Sequence, residues 1–295
     1  MSEPTILDRI ARRSVLLDGA IGTELMKRGL VPGTCPELMN VEHPAVVQSI
    51  HRDYYAAGCD AVTTNSFGAS PLKLSAYGLA GRAYELNLAA ARNAVSVRPE
   101  GRFVGGGLGP TGKFLKPQGE HTESELEAQF AVQVRGLVDG GADFLLVETM
   151  FDLREALAAV RGIRRESSLP VFASLTFNKT PRGFFTLMGD SLKNCVEALE
   201  AEDIPVLGAN CTLASGEMAD LAAVLRTLTS RPFLIQANAG RPEIRPDGKV
   251  VYLQTVDEYL ADVPRIIAQG AAVIGGCCGT NPEHLRRMAS LLGLS

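Results

Sequence analysis

The chain has 295 residues, 46% of them hydrophobic and 21% charged, an ordinary globular mix, long enough for one large barrel or two ordinary domains. Its net charge of −4 and isoelectric point near 5.7 argue against nucleic acid and anionic membranes as main partners, since both reward a basic face. No apolar run approaches the ~18 residues of a membrane span, and Met1-Ser2-Glu3-Pro4-Thr5 carries no basic-then-apolar signal pattern, so a cytoplasmic protein is expected.

Short apolar runs alternate with longer amphipathic stretches from end to end. A first strand is predicted over residues 14–18, then a helix over 44–57, a strand over 61–65 and a helix over 81–97. Strands over 103–108, 144–149 and 171–177 follow, with helices over 123–140, 153–166 and 191–201. The last strands are predicted over 206–211, 233–238 and 273–277, with helices over 216–229, 255–269 and 282–292. Nearly continuous Val, Ile, Leu and Phe suit parallel strands covered on both faces.

Eight strand–helix units match an α/β fold of the (β/α)8 TIM-barrel type, and a doubly wound sheet is the rival. The polar motifs break the tie. Asp18-Gly19, Thr63-Thr64-Asn65-Ser66, Gly109-Pro110-Thr111, Glu148-Thr149, Asn210-Cys211, Asn238-Ala239-Gly240 and Cys277-Cys278 all stand where a strand becomes a loop. In a barrel those ends form one ring, the face that carries the active site. No internal repeat or composition shift marks a second domain, so residues 1–295 are read as a single domain. Gly107-Leu108-Gly109-Pro110-Thr111-Gly112 formally matches GxGxxG, but Lys113 to Gln118 do not open a helix, and the dinucleotide reading lacks its required context.

Six cysteines in a long chain without a secretion signal do not read as a disulfide framework. Cys59 and Cys195 sit in apolar helical contexts, and Cys35 lies in a Pro/Gly-rich loop without an obvious partner. Cys211, Cys277 and Cys278 stand at strand ends. Three thiolates would leave a tetrahedral zinc ion one open position, the arrangement of a catalytic site. Sulfur donors disfavour magnesium and calcium, and three ligands fall short of an iron–sulfur cluster's usual four. Adjacent cysteines in a regular strand point to opposite faces, so the flanking glycines must bend the chain if both are to face one ion. A vicinal disulfide and two buried core thiols are the alternatives, as is a non-catalytic zinc or redox sensor.

Bound zinc favours the thiolate of an incoming thiol, whose free pKa near ~8.5 otherwise leaves it mostly protonated. A nucleophile then needs no dedicated general base. His43, His51, His121 and His284 are read as structural or solvated. Asp18 and Glu148 end strands one and four and Thr64 ends strand two. A carboxylate there suits an ammonium, and Thr64 with loop amides suits a carboxylate, a set fitting an amino acid. A turn at Asp18-Gly19 and a helix-start charge at Glu148 are the plainer readings.

Together these motifs resemble the homocysteine S-methyltransferase family. The resemblance runs through Asp18-Gly19-Ala20-Ile21-Gly22-Thr23, Thr64-Asn65-Ser66-Phe67, Gly109-Pro110-Thr111-Gly112, Glu148-Thr149, Gly208-Ala209-Asn210-Cys211 and Gly275-Gly276-Cys277-Cys278-Gly279-Thr280. Asn238-Ala239-Gly240-Arg241-Pro242 and Lys249-Val250-Val251-Tyr252 look most like the homocysteine-binding module of cobalamin-dependent methionine synthases. The resemblance implies zinc on Cys211, Cys277 and Cys278, with the homocysteine sulfur as a further ligand. It also implies Asp18, Thr64, Glu148 and Asn210 at the substrate. Those relatives continue into folate-, cobalamin- and activation-binding regions that this sequence does not contain. The expected donor is therefore methylcobalamin on a separate corrinoid protein, as in one subunit of a split methionine synthase. A free-standing enzyme using S-methylmethionine or S-adenosylmethionine is the alternative. Betaine users of the family rely on a tryptophan-containing donor pocket, and this chain has no Trp.

Overall fold

Alternating side chains along each apolar run supply one set for a barrel interior and another for the helices outside. The computed structural model describes residues 4–245 and 250–294; Met1, Ser2 and Glu3 of the N-terminal stretch, and the Lys249 that opens the last motif above, lie outside the described residues. The strands run in chain order β1 (Val15–Leu16), β2 (Ala61–Thr63), β3 (Phe103–Leu108), β4 (Phe144–Met150), β5 (Val171–Leu175), β6 (Asn178–Thr180), β7 (Gly183–Phe185), β8 (Val206–Ala214), β9 (Phe233–Asn238), β10 (Pro242–Ile244), β11 (Val250–Tyr252) and β12 (Val273–Gly276). Eight of them form one parallel sheet in the order β1-β12-β9-β8-β5-β4-β3-β2. The remaining four make two antiparallel hairpins, β6–β7 and β10–β11.

The expected barrel is therefore present, and its two edge strands meet through one backbone bond and two carboxylates. Asp60 N donates to Leu16 O at 2.7 Å, and Leu16 N donates to the Asp60 carboxylate at 3.1 Å. Higher up, Thr63 N donates to the Asp18 carboxylate at 2.8 Å. Arg9, Arg13 and Arg102 neutralise the fully buried Asp60. Two carboxylates thus supplement a single backbone bond between β1 and β2, and the strand expected over 14–18 spans only Val15–Leu16.

Inside the barrel, Val15, Leu17, Phe103, Phe144, Phe172, Val206 and Leu234 pack as a cluster of their own, closed below by Ile6 of the helix Ile6–Ile10. Outside, Leu16, Val62, Val104, Leu145, Leu207, Ile235 and Ile274 join the larger core beneath the helices. Above the apolar plug the inward positions become small. A Cβ at Gly107 would stand 2.9 Å from Glu148 Oε1, so glycine keeps that level open for polar groups.

The helices Pro44–Ala56, Ala83–Val95, Glu123–Asp139, Leu153–Glu166, Leu192–Ala201, Ser215–Leu228, Val256–Ala268 and Pro282–Leu291 fall where the periodicity predicts them, within two residues at each end. Capping boxes at Thr122/Glu125 and Thr255/Glu258 fix two of the starts, each cap contributing about 1 kcal/mol. The sequence reading missed the short helices Ile21–Lys27, Met39–Glu42 and Pro71–Leu74, which span too few turns to show a period. From Gly109 the chain runs as a loop until the helix at Glu123, as expected for a GxGxxG match without its helix.

Candidate metal centre and substrate cavity

Two strands break their register just where polar residues begin. In β4 the pairing with β5 shifts between Val147 and Met150, and Thr149 takes φ 57°. In β8 the pairing with β9 shifts between Asn210 and Ala214, and Cys211 and Thr212 take φ 62° and 60°. Left-handed backbone at a residue with a β-carbon costs about 1–3 kcal/mol and persists only where its surroundings enforce it. At Thr149 the side chain of Asn210 holds it. Its Oδ1 accepts from Thr149 N at 2.7 Å and Ser174 Oγ at 2.5 Å, and its Nδ2 donates to Thr149 Oγ1 at 2.7 Å. The same Nδ2 stands 3.9 Å from Cys277 Sγ.

The paired cysteines follow the end of β12. Cys277 N donates to Ala237 O at 2.8 Å, and Ala239 N donates to Cys278 O at 2.9 Å. Thr280 closes the turn by donating both N and Oγ1 to Cys277 O. Gly279 has φ 82°, and a Cβ there would meet Tyr252 at 2.5 Å, so this turn needs glycine twice over. The bend removes the strand alternation that would separate two adjacent side chains. The Sγ atoms of Cys211, Cys277 and Cys278 all lie within 4.8 Å of one another, with Cys211 and Cys278 3.8 Å apart. Zinc–sulfur bonds of about 2.3 Å in a tetrahedron set sulfur–sulfur edges of about 3.8 Å, so the donor set fits that ion. All six cysteines are free thiols.

Charge favours a cation at the same place. Hydrogen bonds from Cys211 and Cys277, aided by the Tyr252 hydroxyl, pull Cys278 down to about 3. Donating those bonds pushes Cys277 well up, with burial adding to it. Donation from Cys277 lowers Cys211, but its own bond to Cys278 and its burial outweigh that and hold it up at about 12. Ionising one thiol thus opposes ionising its neighbours, an opposition that a divalent cation among them would relieve.

The thiols form one wall of a cavity of about 460 Å³, lined also by Gly19 to Thr23, Glu37, Thr63 to Asn65, Phe67, Glu148, Thr149, Gln236, Val250 and Tyr252. Burial and the Cys278 thiolate push Glu148 up to about 7. Thr64 lines the cavity, but Ser66 Oγ donates to Gly107 O, so Thr64 donates to Ser66 Oγ at 2.6 Å while accepting from Gly107 N. Asp18 and Asn210 are fully buried and do not line the cavity. Asp18 is committed to the β1–β2 seam, where burial raises its pKa well above the usual range. Asn210 is committed to the two register breaks. Both stand behind the cavity wall rather than in it.

Sequence reasoning missed Glu37 and Gln236. Glu37 follows Pro36 in a single 3-10 turn and accepts from Gly68 N at 2.6 Å and Cys35 Sγ at 3.1 Å, which also gives Cys35 its partner. Nothing local marks Glu37 as buried. Gln236 was legible, because Leu234, Gln236 and Asn238 share the inward face of β9 by simple alternation. His51 and His284 lie outside the cavity, each lowered to about 4 by burial.

A family model described as "Homocysteine S-methyltransferase" matches residues 15–292. The chain is 34% identical to a methionine synthase of Mycobacterium tuberculosis and 33% identical to that of Mycobacterium leprae, each over 97% of its length. It spans only 25% of either relative. Among solved structures, the homocysteine methyltransferase MmuM from Escherichia coli in its metallated form superposes with a TM-score of 0.78 at 26% identity, covering 94% of this chain and 96% of that one.

Proposed function

Because the chain belongs to the homocysteine S-methyltransferase family, we propose that it transfers a methyl group to the thiol of L-homocysteine, giving L-methionine, with zinc on Cys211, Cys277 and Cys278. The observation that carries this reading is the convergence of three sulfurs on one wall of an amino-acid-sized cavity. Zinc in that position supplies the positive charge that keeps a substrate thiol ionised at neutral pH. The protein's own residues do the rest. Asn210 and Ser174 fix the bend that aims Cys211, and the Thr280 turn aims Cys277 and Cys278. Glu148 offers a carboxylate to the substrate ammonium, and the Gly19 to Thr23 segment and the backbone at Thr64 face the substrate carboxylate. Holding sulfur and methyl in line supplies much of the barrier reduction.

For the donor, we propose methylcobalamin presented by a corrinoid-bearing protein partner. The cavity admits an amino acid but not a corrin ring. Nine of the twelve exposed large apolar side chains among the described residues lie on segments that follow barrel strands, on the face where the cavity opens, including Met26, Phe67, Phe114, Leu187, Ile244 and Leu253. Exposed apolar surface gathered on one face suits a macromolecular partner.

The test is methionine formation by zinc-loaded protein from homocysteine and free methylcobalamin, followed by loss of the Co–CH3 absorbance. Turnover that falls to background in Cys277→Ser is the expected outcome. Intact methylcobalamin with consumption of S-methylmethionine would replace the corrinoid donor with a small sulfonium one.

A further inference from the structure

Zinc on three cysteines sets a problem of selectivity. The ion holds its sulfur ligands as thiolates, so a methyl donor meets three protein nucleophiles beside the sulfur of the substrate. Methylation of any one of them would turn a charged ligand into a neutral thioether. The protein sulfurs therefore need cover.

Cys277 Sγ has the Asn210 amide at 3.9 Å, and Cys211 follows Asn210 in a left-handed bend. Cys278 has Tyr252. The near end of that side chain lies over Gly279, where an added Cβ would come within 2.5 Å of both Tyr252 Cβ and Cγ. At the far end, the Tyr252 hydroxyl bonds to Cys278 Sγ. The ring thus runs alongside residue 278, from the α-carbon that follows it to its own sulfur, and both side chains line the cavity.

Tyr252 is also held in place. It ends β11, where it pairs with Pro242, and Gln254 two residues on is tied down twice. Gln254 N donates to Ala239 O at 3.1 Å. Gln254 Nε2 donates to Ser215 Oγ at 2.6 Å, and that hydroxyl donates to Asp262 at 2.7 Å. Ala239 is the residue whose N donates to Cys278 O. One residue therefore anchors both the arm that carries the ring and the cysteine beneath it.

We propose that Tyr252 is a specificity-determining residue whose ring screens the Cys278 sulfur from the methyl donor, so that the methyl group passes to the substrate thiol and not to the protein. This rests on the reading that the three cysteines hold zinc and activate a thiol for methylation. Obstructing a wrong acceptor is as much a part of specificity as binding the right one.

The test treats zinc-loaded full-length chain with methyl iodide in the absence of homocysteine. Fragment-ion mass spectrometry then reads the methyl group on each cysteine. In the reaction at risk, the Cys278 sulfur forms an S–CH3 bond with its own electron pair while the carbon–iodine bond breaks and iodide leaves with the bonding pair. Tyr252→Ala should speed methylation of Cys278 several-fold over wild type, with Cys211 and Cys277 little changed and zinc released as the thioether forms. Tyr252→Phe, which keeps the ring, should protect Cys278 as wild type does. Equal Cys278 rates in wild type and Tyr252→Ala at full zinc content overturn the proposal. So does an equal rise at all three cysteines, which marks a loosened site, or a Tyr252→Phe variant as reactive as Tyr252→Ala. Should Tyr252→Ala fail to hold zinc, Tyr252→Leu must show the same selective rise for the proposal to stand. A wild-type chain that takes up no zinc sinks the metal reading itself, separately from the role of Tyr252.

Discussion

His51 shows how a single side chain sets a property of the whole fold. It is fully buried in the helix Pro44–Ala56, and neither ring nitrogen has a partner among the described residues. Burial disfavours the imidazolium and lowers its pKa from 6.5 to about 4. Between those values the unfolded chain binds a proton that the folded chain refuses. Stability therefore falls as pH drops through that window, by about 3 kcal/mol for this residue alone. Urea unfolding at pH 7 and pH 4.5 should show a smaller loss in His51→Leu than in wild type. At pH 7 the variant should also be more stable by about 1 kcal/mol, because a buried N–H no longer lacks an acceptor. An identical pH dependence in both proteins would show that His51 ionises freely. At the metal centre, by contrast, the groups act on one another: hydrogen bonds between the sulfurs pull Cys278 down while Cys277 and Cys211 are pushed up.

At the scale of elements, the site depends on how closely strands approach. Gly208 lies on β8 two residues before Asn210, and a Cβ there would stand 2.0 Å from Leu234 O on β9. The contact is with backbone, so no side-chain rotation relieves it. Gly208→Ala should force β8 and β9 apart, costing about 3 kcal/mol and displacing Asn210 and Cys211 with it. Thermal unfolding and zinc titration would register both effects. A variant with wild-type melting temperature and zinc affinity would show that β8 and β9 accommodate a methyl group between them. The elements themselves were readable, since eight strands and eight long helices follow from runs and periods that each segment carries internally. The register breaks in β4 and β8 were not, because the left-handed backbone of Thr149 is held by hydrogen bonds exchanged with Asn210, 61 residues away along the chain.

For the whole molecule, the asymmetry of the barrel is the dominant feature. One end is plugged by Ile6 and its apolar neighbours. The other carries the thiols, the cavity and most of the exposed apolar side chains. If that face receives a corrinoid protein, Leu187→Asp and Ile244→Asp should weaken methyl transfer from the protein-bound donor several-fold, by charging an apolar contact. They should leave transfer from free methylcobalamin unchanged, since neither residue lines the cavity. Steady-state rates with the two donors provide the comparison, and equal effects on both, or none on either, would remove the docking face.

The sequence by itself determined the barrel, the end of it that carries chemistry, and the three cysteines at strand ends. Those features are written in periodicity and in the residue types that punctuate it, which are local. Tertiary structure decided which polar residues of the ring meet the cavity. Asp18 and Asn210 were candidates for the substrate by position along the chain, yet the open seam between β1 and β2 takes one and two strained turns take the other. Glu37 and Gln236, from a loop turn and from β9, are in the cavity wall. A buried polar group goes to whichever partner the closing fold leaves unsatisfied beside it, and that neighbour comes from another strand or loop.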